Sequence, residues 1–366
     1  MSMANEVNGI HVKSSENFFL RVIKYFVPWK GDGVSEVFRK LMFVASIAIF
    51  AVSLDSLADY LRADKQELSY FEDIQSLEPD FGDTGNSGVS GSTDTVDTTD
   101  KNGKITKIEN PVITVEPREL QDWALPLLER NPDVRGWIKI PLITDGDGNA
   151  IINYPVLQHE TNNEYYLHHN IDGLVTDSGS IYADSHVPIT LDSQADNVII
   201  YGHNMMAGTQ FAGIIRLKRG ADYISQNPII EFNTIYEKNQ KYVIVAAFVG
   251  VGDKSMDDRA SVFDFWNYSN FASDGHYSFE TWKTNVEKCS WISSSVNLNE
   301  DDDYITLSTC SYEMDNARWV VVAKKLTAKD NFEEIVKSYK DKADKDIYFF
   351  KAWRDRYGNN KVIVGS

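Results

Sequence analysis

Three side chains in this sequence carry the chemistry of acyl transfer, and each stands at or beside the end of an apolar, β-branched run. Cys310 closes Thr306-Leu307-Ser308-Thr309-Cys310, Arg318 opens Arg318-Trp319-Val320-Val321-Val322, and His203 follows Asn197-Val198-Ile199-Ile200-Tyr201-Gly202. Runs of this kind read as strands. A thiol of ordinary pKa, ~8.5, is only a few per cent thiolate at neutral pH and needs a base or an imidazolium beside it. His203 is the candidate for that partner. A guanidinium is permanently charged and planar, and can donate two hydrogen bonds to an oxyanion or a substrate carbonyl. Arg318, close behind Cys310 in the chain, is the candidate for that role. If the strands pair, nucleophile, proton shuttle and oxyanion stabiliser meet.

Other residues compete for attention. The chain has 7 histidines. His168 and His169 are adjacent, but no Cys or His cluster stands at ligand spacing, so neither a metal nor another cofactor is expected. His11, His159, His186 and His276 read as solvated. The 2 cysteines, Cys289 and Cys310, could form a disulfide. However, Trp282, Val286 and Cys289 fall on one face of a helical pattern, and a small apolar thiol packed in a core is the preferred account of Cys289.

The elements that must position these residues are mostly strands. Runs at 136–140, 152–157, 197–201, 228–236, 241–250, 303–308 and 318–325 alternate with turn signals. A helix is expected over 118–131, with Leu120, Trp123, Leu127 and Leu128 on its apolar face, and another at about 277–289. Many short strands with one helical insertion before the cysteine strand suggest an antiparallel barrel.

The rest of the chain divides by composition. Residues 1–40 hold six Lys/Arg and four Asp/Glu, and residues 55–100 hold two and twelve. Between them runs Leu41-Met42-Phe43-Val44-Ala45-Ser46-Ile47-Ala48-Ile49-Phe50-Ala51-Val52-Ser53-Leu54. With its flanks and the snorkelling Arg39 and Lys40, it approaches the ~20 residues a bilayer requires. The expected organisation is a cytoplasmic tail (1–40), a single uncleaved membrane anchor (41–57), a flexible acidic extracellular spacer (58–109), a folded domain (110–326) and a C-terminal extension of no assigned role (327–366). The charge asymmetry puts the N-terminus in the cytoplasm and the folded domain outside. Within the tail, Phe18 to Trp29 reads as an interfacial helix. Within the extension, Asn331 to Lys340 reads as helical. A net charge of −18 argues against nucleic acid as a partner.

The motifs also carry a resemblance. Gly136-Trp137-Ile138-Lys139-Ile140-Pro141, Tyr154-Pro155-Val156-Leu157-Gln158, Asn162-Asn163-Glu164-Tyr165-Tyr166-Leu167 and Gly179-Ser180-Ile181-Tyr182 precede the histidine run in that order. With the His203, Cys310 and Arg318 runs, they resemble a class B sortase over roughly Leu120 to Leu326. The sortases are the cysteine transpeptidases that join surface proteins to the Gram-positive cell wall. The resemblance implies a closed eight-stranded β-barrel with an N-terminal helix and a helical insertion before the nucleophile strand. It implies cleavage of a secreted protein's C-terminal sorting signal after Thr through a thioester, with Asn-Pro-x-Thr-Asn or a similar pentapeptide as the motif. Transfer then goes to an amino group of a peptidoglycan precursor or a pilin. It places Asn163, Leu167, Tyr201 and Ser308 around the peptide, with the loop Ser255 to Ser278 and the following helix as one wall. Two other accounts of the residues stay open. One is a membrane-bound cysteine hydrolase using water as acceptor, and the other is a non-catalytic surface scaffold with Cys310 tied to Cys289.

Overall fold

The computed structural model describes residues 18–81, 95–99, 103–113, 117–258, 262–272 and 275–363. It forms two units, Met1–Ser69 and Tyr70–Ser366. Helix α1 (Phe18–Phe26) ends before Pro28, Gly31 and Gly33, and helix α2 (Val34–Gln75) follows with neither Gly nor Pro inside it, its residues up to Ser69 in the first unit and its last six in the second. The two are pinned by Lys40, whose amine reaches Lys24 O at 2.5 Å and Asp32 Oδ2 at 2.8 Å, and by Phe26 stacked on Phe43 at 4.8 Å. An 18-residue window of α2 has mean hydropathy 2.1 and no buried residue, so the helix is long and apolar enough to cross a membrane. Residues 1–17 of the expected tail lie outside the described residues.

The expected spacer needs correction where it is described. Helix α2 continues through residues 58–75, because Leu68, Phe71 and Ile74 keep a helical spacing, and Phe71 and Ile74 are buried. Strands β1 (Thr95–Thr99) and β2 (Ile105–Glu109) form a hairpin in which buried Val96 faces buried Ile108. One apolar residue per strand face is too sparse a pattern to read from sequence. Residues 82–94 and 100–102, most of the Gly- and Thr-rich stretch, lie outside the described residues.

The second unit therefore begins well before residue 110. Phe71 meets Tyr154 edge-on at 5.5 Å, Gln75 donates to Ile151 O at 2.9 Å, and Glu78 pairs with Lys139 at 2.6 Å. The expected helix 118–131 is shorter: a 3-10 turn over Asp122–Ala124 leads into α3 (Leu125–Arg130). Pro126 sets this late start, since proline fits the first helical turn but not the interior. Leu120 consequently stays exposed, while Ala124 and Leu127 are buried.

Eight strands then close a barrel: β3 (Val134–Lys139), β4 (Asn153–Leu157), β5 (Tyr182–Ala183), β6 (Asn197–Tyr201), β7 (Ile229–Thr234), β8 (Lys241–Val251), β10 (Tyr304–Cys310) and β11 (Ala317–Lys325). The order is β10-β11-β8-β7-β3-β4-β5-β6, with β10 returning parallel to β6. Closure leaves no free edge. Strand β5 has only two residues, too few for a sequence pattern. The short helix α4 (Ala221–Ile224) follows a long 3-10 segment, Phe211–Arg219. Helix α5 (Phe279–Cys289) is capped by Ser278, buries Phe279, Trp282, Val286 and Cys289, and packs on β8. It stands before β10, where the insertion is expected.

The C-terminal extension belongs to the same core. Strand β9 (Ile292–Ser293) pairs with β12 (Lys340–Asp341), and helices α6 (Phe332–Ser338) and α7 (Lys351–Tyr357) flank β12 in the chain. Trp291 packs on Trp319 of β11 at 5.0 Å and on Phe349 at 6.4 Å, and Phe349 stacks on Trp353. This aromatic layer packs on β11 through Trp319, in keeping with a strand buried along nearly its whole length. The extension is tied to the barrel through this layer and through Tyr339, whose hydroxyl donates to Ile244 O in β8.

Candidate active site

Strand register brings the three candidate residues to one end of the barrel. Strands β10 and β11 are antiparallel, with Cys310 directly opposite Arg318. Directly opposed residues project from the same sheet face, ~4.5–5.5 Å apart at Cβ. Strands β10 and β6 run parallel with Ser308 beside Tyr201, and the pairing extends through Gly202 N to Ser308 O at 3.2 Å and Thr309 Oγ1 to Gly202 O at 2.7 Å. His203 lies two positions beyond Tyr201, and Cys310 lies two positions beyond Ser308. Parallel register thus carries them to matching places past the last ladder pair. Cys310, His203 and Arg318 are all half-buried.

The His203 loop is held from both ends. Its backbone N–H donates to Gln210 Oε1 at 2.9 Å, and its carbonyl accepts from Phe211 N at 3.0 Å. Gln210 is fully buried and its amide also donates to Ser178 O. It adopts φ 54°, a left-handed value costly for a residue with a Cβ, and such strain concentrates where geometry must be held. The amide of Asn204 donates to Cys310 O at 3.0 Å, so the residue after the histidine grips the cysteine strand.

The ring of His203 makes one defining contact: Nε2 lies 2.9 Å from Leu167 O. A carbonyl oxygen only accepts, so Nε2 must carry the proton. The neutral ring then keeps Nδ1 as its acceptor. The Leu167 carbonyl can sit there because Gly179, at φ +56°, crosses the 166–167 backbone so closely that a Cβ would stand 2.4 Å from Leu167 O. A second glycine makes room for the arginine. A Cβ on Gly252 would lie 2.4 Å from Asn316 O and 3.0 Å from Arg318 Cζ. Arg318 also donates to Ala317 O at 3.2 Å.

Beside this end lies a tyrosine pair. Tyr182 and Tyr201 rings are 5.3 Å apart, and Tyr201 Oη donates to the buried Asp184 carboxylate at 2.9 Å. Burial, and then the Asp184 charge, push both phenols above their ordinary range, while the Arg318 guanidinium pulls the other way. Arg318 is therefore within electrostatic reach of both rings. The other expected peptide-contact residues have separate partners. Ser308 is buried in β10, Leu167 contributes its carbonyl to His203, and Asn163 Oδ1 accepts from Ser185 N at 2.5 Å. Cys289 and Cys310 are not joined in a disulfide, which removes the basis of the scaffold account.

Comparison with known proteins bears on this arrangement. The Sortase domain family matches residues 147–326. Sortase B of Listeria monocytogenes is 31% identical over 211 residues, spanning 57% of this chain and 76% of the relative. The chain belongs to the class B sortases. Sortase B of Staphylococcus aureus is 30% identical over 196 residues, covering 53% of this chain and 70% of that one. Among solved structures, Clostridium perfringens sortase B superposes with a TM-score of 0.45 at 28% identity, over 56% of this chain and 99% of that one. As a sortase, the protein is a cysteine transpeptidase.

Sequence reasoning gave no role in the site to Asn204, Gln210, Gly179, Gly252, Tyr182 or Asp184, although Gly179 and Tyr182 stand in one of the motifs that carry the resemblance. A further signal was Gly252, a glycine directly after a long buried strand, where close backbone approach is a common cause.

Proposed function

We propose that this class B sortase uses Cys310 as nucleophile, His203 as proton shuttle and Arg318 as oxyanion donor. It would act on a C-terminal sorting signal presented by a secreted protein. His203 takes the thiol proton as Cys310 Sγ attacks the carbonyl carbon of the signal's Thr, and it passes that proton to the departing amine as the amide C–N bond breaks. The acyl group remains on Cys310 as a thioester until an amino group of a wall precursor or a pilin displaces it. Asn163, Leu167, Tyr201 and Ser308 line the peptide's path in this account. The observation that carries it is the direct cross-strand pairing of Cys310 with Arg318, at the barrel end where β6 delivers His203.

The membrane-anchoring role of α2 is part of the same proposal. Support comes from its exposed apolar length and from basic residues before it and acidic residues after it, which favour a cytoplasmic N-terminus. The test is transfer of a sorting peptide to an amine by the full-length protein in detergent. Arg318→Ala is expected to lower the acylation rate at least a hundredfold, about 3–4 kcal/mol of lost oxyanion stabilisation. Near-normal acylation in Arg318→Ala, or in His203→Ala, would remove that residue from the scheme.

A further inference from the structure

The C-terminal extension, whose sequence carries no assigned role, lies past the segment that matches the family. Its side chains reach three elements around the candidate site. The first is the loop that leaves β8, the expected start of the groove wall. The Tyr348 hydroxyl donates to Asp257 Oδ1 at 2.8 Å, and the backbone N–H of Lys351 donates to the same oxygen at 3.2 Å. Next to it, the Arg354 guanidinium donates to the two carboxylate oxygens of Asp258 at 3.0 and 3.1 Å. Arg354 also lies 5.4 Å from the Tyr348 ring centroid and donates to Phe349 O at 2.5 Å, so the two gripping side chains hold each other.

The second element is the C-terminal end of α5. There the Lys342 amine donates to Glu287 O at 2.7 Å, and Tyr348 N donates to Lys288 O at 2.8 Å. The third is the loop between Cys310 and Arg318, where the Tyr357 hydroxyl donates to Glu313 O. The gripping residues stand on a firm base, since Phe349, Phe350 and Trp353 are buried. The gripped loop does not have one at this point. No residue of its 3-10 turn Lys254–Met256 is buried, and Met256 packs only partly against the core. Asp253 orders the turn locally, accepting from Ser255 N at 2.8 Å, but a bond inside the turn does not set where the turn lies against the barrel. Charge-assisted bonds from a packed neighbour do.

We propose that Tyr348, Arg354 and Tyr357 are positioning residues for acyl transfer, and that the C-terminal extension clamps both the groove wall and the loop joining Cys310 to Arg318. This proposal rests on the roles given above to Cys310 and Arg318, and on the β8–α5 loop as a wall of the peptide groove. The two grips act on different steps. Asp257 and Asp258 belong to the wall and carry none of the reacting groups, so loosening them weakens peptide binding and raises KM. Glu313 lies in the chain between the nucleophile and the oxyanion donor, so loosening it disturbs their alignment and slows the chemical step.

The test measures acylation of the full-length protein in detergent by a sorting peptide, as KM and maximal rate, beside hydrogen exchange of the 253–258 amides. Tyr348→Phe/Arg354→Gln removes the grip on the wall loop while keeping most of the packed bulk. It is expected to raise KM about three- to tenfold, the loss a charge pair and a hydrogen bond to a carboxylate give together, with a much smaller change in maximal rate and faster exchange at 253–258. Arg354→Lys, which keeps the charge but not the planar group, should fall between the two. Tyr357→Phe is expected to lower the maximal rate about two- to tenfold, the worth of one hydrogen bond, and to leave KM nearly as it was. Wild-type kinetics in these variants, or a loss of activity that follows only the folded fraction in urea, would make the extension a structural appendage and overturn the proposal. Wild-type protein that forms no Cys310 adduct would instead strike the underlying reading of Cys310, and the clamp's role in acyl transfer would fall with it.

Discussion

Replacing Glu313 with Gln leaves a lysine charge stranded in the protein interior. Lys218 and Glu313 side chains are each 1% exposed. The Lys218 amine lies 2.6 and 2.7 Å from the two carboxylate oxygens, 3.1 Å from Ser311 Oγ and 5.1 Å from the Trp319 ring centroid. The pair ties the Phe211–Arg219 segment to the loop between Cys310 and Arg318. Burial pulls the Lys218 amine below its ordinary pKa, and the Glu313 carboxylate opposes that fall. Breaking one half of a buried pair costs about 3–5 kcal/mol, a large share of the ~5–15 kcal/mol that holds a domain folded.

The sign with pH follows from the direction of the shift. The folded-state pKa of Lys218 lies below its unfolded value, so between the two the unfolded chain binds the extra proton and stability rises with pH. In Glu313→Gln the folded value falls further and the window widens. Urea unfolding should show a loss of about 3–5 kcal/mol at neutral pH that narrows as pH rises toward ~10. The double variant Lys218→Met/Glu313→Leu should recover most of the loss, because apolar replacements leave no charge to desolvate. A Glu313→Gln variant within ~1 kcal/mol of wild type, or a deficit independent of pH, would refute the reasoning.

Two further perturbations address the glycines. Gly252→Ala puts a Cβ 3.0 Å from Arg318 Cζ and 2.4 Å from Asn316 O. Stability should fall by about 1–3 kcal/mol, with acylation slowed more than tenfold as the guanidinium is displaced; unchanged acylation would show that the close approach is not needed. Gly179→Ala adds left-handed strain of about 1–2 kcal/mol to its clash with the Leu167 carbonyl. It should weaken the His203 anchor, and slower alkylation of Cys310 by iodoacetamide is the measurement that checks this.

The convergence of the three candidate residues was legible because they stand at or beside the ends of long apolar runs, and a strand's register carries its terminal residue to a definite place. Cys310, Arg318 and His203 stand out in the sequence for that reason, as does the helix before β10. The supporting residues leave no such local mark. Asn204 meets Cys310, and Gly252 matters only because Arg318 passes over it, so their meaning appears once distant segments are packed. Strand β5 is too short to show a period. The helical continuation to Gln75 was hidden by acidic residues that mimic a solvated linker. The C-terminal residues showed a helix, but the aromatic layer of Trp291, Trp319, Phe349 and Trp353 that makes them part of the core is a tertiary fact.

The central claim is acyl transfer through Cys310, and intact mass measured after incubation with a panel of sorting peptides tests it most directly. A thioester adduct that maps to Cys310 and is missing from Cys310→Ala is the predicted result, and the peptide that forms it names the sorting motif. An adduct that persists in Cys310→Ala, or an unmodified protein with a titratable Cys310 thiol after every peptide, would contradict the account.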